Sequence, residues 1–100
     1  MTDTQSMESD EQALAMRRNA QGFSKIAKTL GFTRANDANE AFNRALRRRP
    51  PEEQVVIRAE ESERLDRLTQ AVSGDATRTS EDVKKRLRAI DRLRERLNAN

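Results

Sequence analysis

Helix breakers are scarce in this chain and fall at only a few places. Gly22, Gly31 and Gly74, with the adjacent pair Pro50 and Pro51, are the complete set of glycines and prolines in 100 residues. The stretches between them are rich in Ala, Leu, Arg and Glu, which are good helix formers. The chain is therefore expected to be all-α, with its helix ends set by those residues. With 34% hydrophobic residues and three aromatics, all Phe, it has little material for a core. Thin helical layers, or an oligomer that completes the burial, are expected.

Residues 1–9 are polar and acidic and read as a disordered arm. A first helix is expected from about Asp10 to Gln21, with Ala13, Met16 and Ala20 inward and Leu14 at the edge. Gly22 supplies its stop. Ser24 is placed to cap a second helix from Lys25 to Leu30, which points Ile26, Ala27 and Leu30 to the core. Thr33 is placed to cap a third helix reaching about Arg48, with Ala35, Ala38, Phe42, Ala45 and Leu46 on one side. Pro50-Pro51 stops it, because the residue before a proline is steered out of helix.

The turn at "LGFT" sets the angle between helices two and three. A helix-turn-helix needs a small residue where its helices cross, and Ala27 is one. It needs a residue tolerant of positive φ, and Gly31 follows four positions later. It also needs apolar positions that seat the second helix, as Ala38, Phe42 and Leu46 would. Residues 10–49 therefore read as a helix-turn-helix DNA-binding head, whose third helix enters the major groove. A purely structural αα corner is the plain alternative.

Charge points to the same segment. Residues 1–11 carry four acids and no base, whereas residues 12–49 carry nine Lys/Arg against Asp37 and Glu40. Double-stranded DNA is the partner such a basic segment fits. Thr33 opens helix three. Arg34, Asn36, Glu40, Asn43 and Arg44 are its candidates for base edges, because Asn pairs with adenine, Arg with guanine, and Glu accepts from cytosine. Arg17, Arg18, Lys25, Lys28, Arg47 and Arg48 are candidates for phosphates. Each also reads as ordinary surface charge. Asp37 and Glu40 would tune specificity or pair with Arg34, Arg44 or Arg47.

Residues 51–100 read as an antiparallel two-helix hairpin. Its first helix runs from Pro51 to Val72, the Ser73-Gly74-Asp75 turn follows, and a second helix starts at about Ser80. Val56, Leu65, Leu68 and Val72 on one helix, with Val83, Leu87, Ile90, Leu93 and Leu97 on the other, form narrow apolar stripes. These would pack on each other and on neighbouring copies, so a homo-oligomer is expected.

Several chemistries are excluded. The chain has no Cys and no His, so disulfides, Cys/His zinc sites and His-dependent triads do not arise. There is no glycine-rich phosphate loop and no nucleophile–base pair. Glu60, Glu61, Glu63 and Asp66 could be imagined as a metal site, but a solvated helix face accounts for them. No catalytic residue, metal or cofactor is expected. No apolar run approaches membrane-spanning length, and the acidic start is unlike a signal peptide, so a soluble intracellular protein is expected.

The stretch "GFSKIAKTLG", a capped helix ending in "RALRR", the acidic "ESERLDRL" and the "GD" turn before a basic last helix span residues 12–97. Together they resemble the small helix-turn-helix proteins of actinobacterial phages and prophages, the terminase small subunits. The departures are Asn39, where a Tyr or other large residue would be expected, and Asp37. The resemblance implies a non-catalytic packaging component in the cytoplasm of a bacterial host. Such a subunit recognises phage DNA, assembles as a ring through its hairpin, and delivers DNA to the large ATPase/nuclease subunit of the terminase. The basic stretch Lys84 to Arg96, or the acidic arm, would be left for that subunit. The rival reading is a transcriptional regulator of a phage or mobile element, dimeric on a palindromic site.

Overall fold

The computed structural model describes the backbone of residues 3–99 and the side chains of residues 7–99. Five α-helices follow in order: α1 (Asp3–Arg18), α2 (Phe23–Leu30), α3 (Ala35–Arg47), α4 (Pro51–Ser73) and α5 (Ser80–Asn98). There is no strand among the described residues. The chain divides into two compact units, the first ending at Ile57 and the second starting at Arg58, inside α4.

In the first unit α3 packs on both α1 and α2, and most extensively on α1. The core is built from Ala13 and Leu14 of α1, Phe23, Ile26 and Ala27 of α2, and Ala38, Ala41, Phe42, Ala45 and Leu46 of α3. Half of these are alanines, whose small side chains let helix axes approach closely. Phe23 and Phe42 supply the bulk, meeting edge to face with centroids 5.8 Å apart.

Four helix ends differ from the sequence expectation, each for a local reason; at α2 the cap is Gly22, not Ser24, so that helix begins at Phe23 and Ser24 lies inside it. α1 begins at Asp3, because nothing before Asp10 breaks a helix; residues 1 and 2 of the expected arm lie outside the described residues. It also ends earlier, at Arg18, and Ala20 takes the left-handed conformation at φ 65°. The Gln21 amide then donates to the Met16 carbonyl at 3.2 Å, closing the helix. Ala20 is consequently exposed, not inward, and Gly22 is extended, capping the start of α2 instead of stopping α1. At α3 the cap is Arg34, not Thr33. The Arg34 amide donates to the Asp37 carboxylate at 3.2 Å, and its guanidinium reaches the other oxygen at 3.4 Å. Asp37 is thus a capping residue in an acid-favouring position.

The Gly31 turn matches its expectation. Gly31 has φ 81°, and the Phe32 amide donates to the Ala27 carbonyl at 2.9 Å. At the far end of α3, the Gln54 side-chain amide donates to the carbonyls of Arg49 (2.7 Å) and Arg47 (3.3 Å), linking the first turn of α4 to the end of α3 and the residues just beyond it.

The second unit is held differently. No Cα of α4 lies within 8 Å of one in α5. Long side chains bridge instead: Arg58 Nε donates to the Leu97 carbonyl at 3.0 Å, and Arg94 meets Asp66 (2.9 Å) and Thr69 (3.1 Å). Leu65, Ile90 and Leu97 are buried, together with the Glu61 carboxylate that pairs with Arg64 at 2.7 Å. The connecting loop is well tied. Asp75 accepts from the Thr77 amide and hydroxyl, Arg78 bridges Asp75 and Asp82, and Thr79 caps α5 by accepting from the Asp82 amide.

Candidate nucleic-acid interface

The cations of the first unit fall into two sets, tethered and free. The tethered set is centred on Asp10, which is 2% exposed. Its carboxylate accepts from Arg44 through Nε (3.0 Å) and Nη2 (2.9 Å), a fork-on-fork pair, and from both terminal nitrogens of Arg48 at 3.2 Å. The hydrogen bonds to Asp10 raise the Arg44 pKa above its already high value. Glu11 adds contacts to Arg48 and Arg49, and Arg49 also reaches Glu53. Asp10 and Glu11 therefore lie on the basic end of α3. Two separated charge blocks in sequence become one ion-pair network in space.

Two further site candidates are turned inward. Arg17 is buried, with its guanidinium 4.0 Å from the Phe23 ring centroid and Nη1 donating to the Gln21 carbonyl at 3.1 Å. It acts as a pin between the end of α1 and the start of α2, combining cation–π attraction with a backbone cap. Asn43 is buried too, its Nδ2 donating to the Asn39 carbonyl one turn earlier at 3.0 Å. Asn39, flagged in the sequence for its small size, faces the same interior.

The exposed side of α3 carries Glu40, Arg44 and Arg47, with Thr33 and Arg34 exposed just ahead of the helix. Asn36 is half-buried and its Nδ2 is 3.4 Å from Glu40 Oε1, a long contact that either partner can exchange for another. Lys25 and Lys28 project outward from α2, because Phe23, Ile26 and Ala27 take its inner face. Among the described residues Lys25, Lys28 and Arg47 make no ion pair. Arg18 is exposed at the end of α1 and is engaged in an interaction of its own. The two helices joined by the turn thus carry three free cations, Lys25 and Lys28 on α2 and Arg47 at the far end of α3, with Arg44 and Arg48 half available at side-chain exposures of 45% and 35%.

The residues expected at an oligomer interface also divide. Leu65, Ile90 and Leu97 are consumed inside the second unit. Val72, Val83, Leu87 and Leu93 are half-buried, whereas Val56 and Leu68 are exposed.

Asp10, Glu11 and Arg49 are the site residues that sequence reasoning missed. A signal existed: Asp10, Ala13, Leu14 and Arg17 recur at helical spacing and all are buried, so both charged ends of that stripe had to find partners. Among the described residues no group of three or more Asp or Glu is arranged to hold a metal ion, and no helix is long and apolar enough to cross a membrane. Compared with known proteins, the chain matches no family model, no curated protein and no solved structure.

Proposed function

We propose that this chain binds double-stranded DNA through a helix-turn-helix formed by α2 and α3, and serves as a non-catalytic oligomeric adaptor in genome packaging, as the terminase small subunits it resembles do. The observation that carries the DNA-binding part is the free set of cations on the two helices that a left-handed glycine turn joins, Lys25 and Lys28 on α2 and Arg47 at the end of α3. Unpaired surface cations can neutralise duplex phosphates and so release the counterions condensed on the DNA, with a gain in entropy. Arg34, Asn36 and Glu40 then stand at the N-terminal half of α3, the part that reaches base edges in this geometry. Arg44 and Arg48 contribute less than free arginines, because Asp10 already shares their charge.

The adaptor part of the reading draws on the family resemblance and on the narrow core of the second unit. The half-buried Val72, Val83, Leu87 and Leu93, with exposed Leu68, are apolar surface that a neighbouring copy would cover. The large terminase subunit would be the catalytic partner, and this chain would need no cofactor.

The test replaces Lys25, Lys28 and Arg47 with Ala together, leaving every buried contact intact. Duplex affinity should fall and the log–log salt slope should flatten by about three, roughly one per lost phosphate contact. Unchanged affinity would remove the α2–α3 face from the interface. Light-scattering mass separates the two biological readings: a ring fits the packaging adaptor, and a dimer bound to a palindrome fits a transcriptional regulator.

A further inference from the structure

The arginines and lysines of α5 are sorted by direction. Arg78, just before the helix, bridges Asp75 and Asp82, Arg86 pairs with Asp82 at 2.9 Å, and Arg94 pairs with Asp66. Lys84, Lys85, Arg88 and Arg92 are all exposed and, among the described residues, make no ion pair. At 100° per residue these four occupy one arc of about 100° on the helix. Lys84, Arg88 and Arg92 follow one another at four-residue intervals, a row about 12 Å long. Glu81, Asp91 and Glu95 stand three or four residues from these cations, yet none is drawn into a bridge.

We propose that this outward row of α5 is a second DNA-contacting surface, which takes the phosphate backbone without reading sequence. Over about 12 Å, duplex DNA presents roughly seven phosphate charges, enough to engage all four cations. An anionic membrane is a poorer fit. The apolar side chains of α5 point away from this face, with Ile90 and Leu97 buried, and no aromatic lies in the helix to anchor it in a bilayer. The three acids on the same side lower the local potential, so the contact is weak per cation and strongly salt-dependent. The inference shares with the proposed function the premise that DNA is the ligand, but it uses none of the same residues.

The experiment compares four full-length proteins: the parent, a head variant (K25A/K28A/R47A), an α5 variant (K84Q/K85Q/R88Q/R92Q), and the two combined. Glutamine keeps helix propensity at exposed positions, and circular dichroism verifies that each variant is folded. Binding to a labelled duplex of arbitrary sequence is followed across a salt series. The α5 variant should bind about tenfold more weakly at low salt, with a slope shallower by about three to four. The head variant should retain salt-dependent binding that the combined variant loses. An α5 variant matching its background in both comparisons would overturn the proposal. So would one whose oligomer mass falls while its affinity per subunit holds, because the row would then belong to a protein interface. Failure of the α2–α3 reading looks different: the head variant would bind like the parent.

Discussion

Asp10 shows how one side chain can settle the meaning of several others. A carboxylate with 2% exposure that accepts four hydrogen bonds from two arginines fixes the middle of α1 against the end of α3. Replacing it with Ala leaves Arg44 and Arg48 facing an emptied site. A fully buried pair broken in this way costs about 3–5 kcal/mol; because both arginines are partly exposed, ~2 kcal/mol is the expected loss in chemical denaturation. Ala20 offers the opposite sign. Its left-handed backbone at φ 65° disfavours a side chain, so Ala20→Gly should raise stability by about 1 kcal/mol, read from the same denaturation curve. At Gly31 the φ of 81° makes Gly31→Val destabilising by at least ~1–2 kcal/mol, since a β-branched side chain resists that region even with open space around it. Gly31 was legible because glycine advertises its conformation. Ala20 was not, because alanine advertises a helix.

Among the elements, α2, α3 and α4 were the most legible, since breakers frame them and apolar positions recur at helical spacing. α1 was misjudged at both ends. Its buried stripe is Asp10, Ala13, Leu14 and Arg17, in which the polar members carry as much placement information as the apolar ones. Counting only hydrophobic residues shifted the inferred face toward Met16 and Ala20. The start of α5 carries a pH prediction. Asp75 lies below its usual carboxylate range chiefly because it accepts from the Thr77 side chain and amide, and Asp82 chiefly because it accepts from Arg78 and Arg86. Carboxylates with depressed folded pKa values contribute stability above their unfolded value, near pH 4, and lose it as pH falls through the lower folded values. Acidification below about pH 4 should therefore fray the 75–82 loop and the first turn of α5. Amide exchange at Asp82 and Val83, which donate to the Thr79 side chain and carbonyl, would report it.

For the whole molecule, charge reads differently in space than along the chain. The acids of residues 1–11 and the arginines of 44–49 look like separate blocks in sequence, and the fold brings Asp10 and Glu11 of the first onto the second. What remains free among the described residues is a smaller set: Lys25, Lys28 and Arg47 in the first unit, and Arg67 of α4 with the outer row of α5 in the second. No periodicity argument would have revealed that division, since it depends on contacts made across 34 and 38 residues. The apolar stripe of the second unit is similarly divided between internal packing and surface. If a neighbouring copy covers the remainder, Leu87→Glu should lower the light-scattering mass while leaving the helical circular dichroism spectrum in place.

The Asp10 network also bears on the order in which the protein can take shape as it is made. Its acidic half leaves the ribosome first and its basic half more than thirty residues later, so Asp10 and Glu11 have no ionic partner until α3 is almost complete. α1 can meet α2 first, but its closure on α3 comes late in the synthesis of the first unit. A chain released early, or one shortened at its amino end past Glu11, would lack one side of that closure.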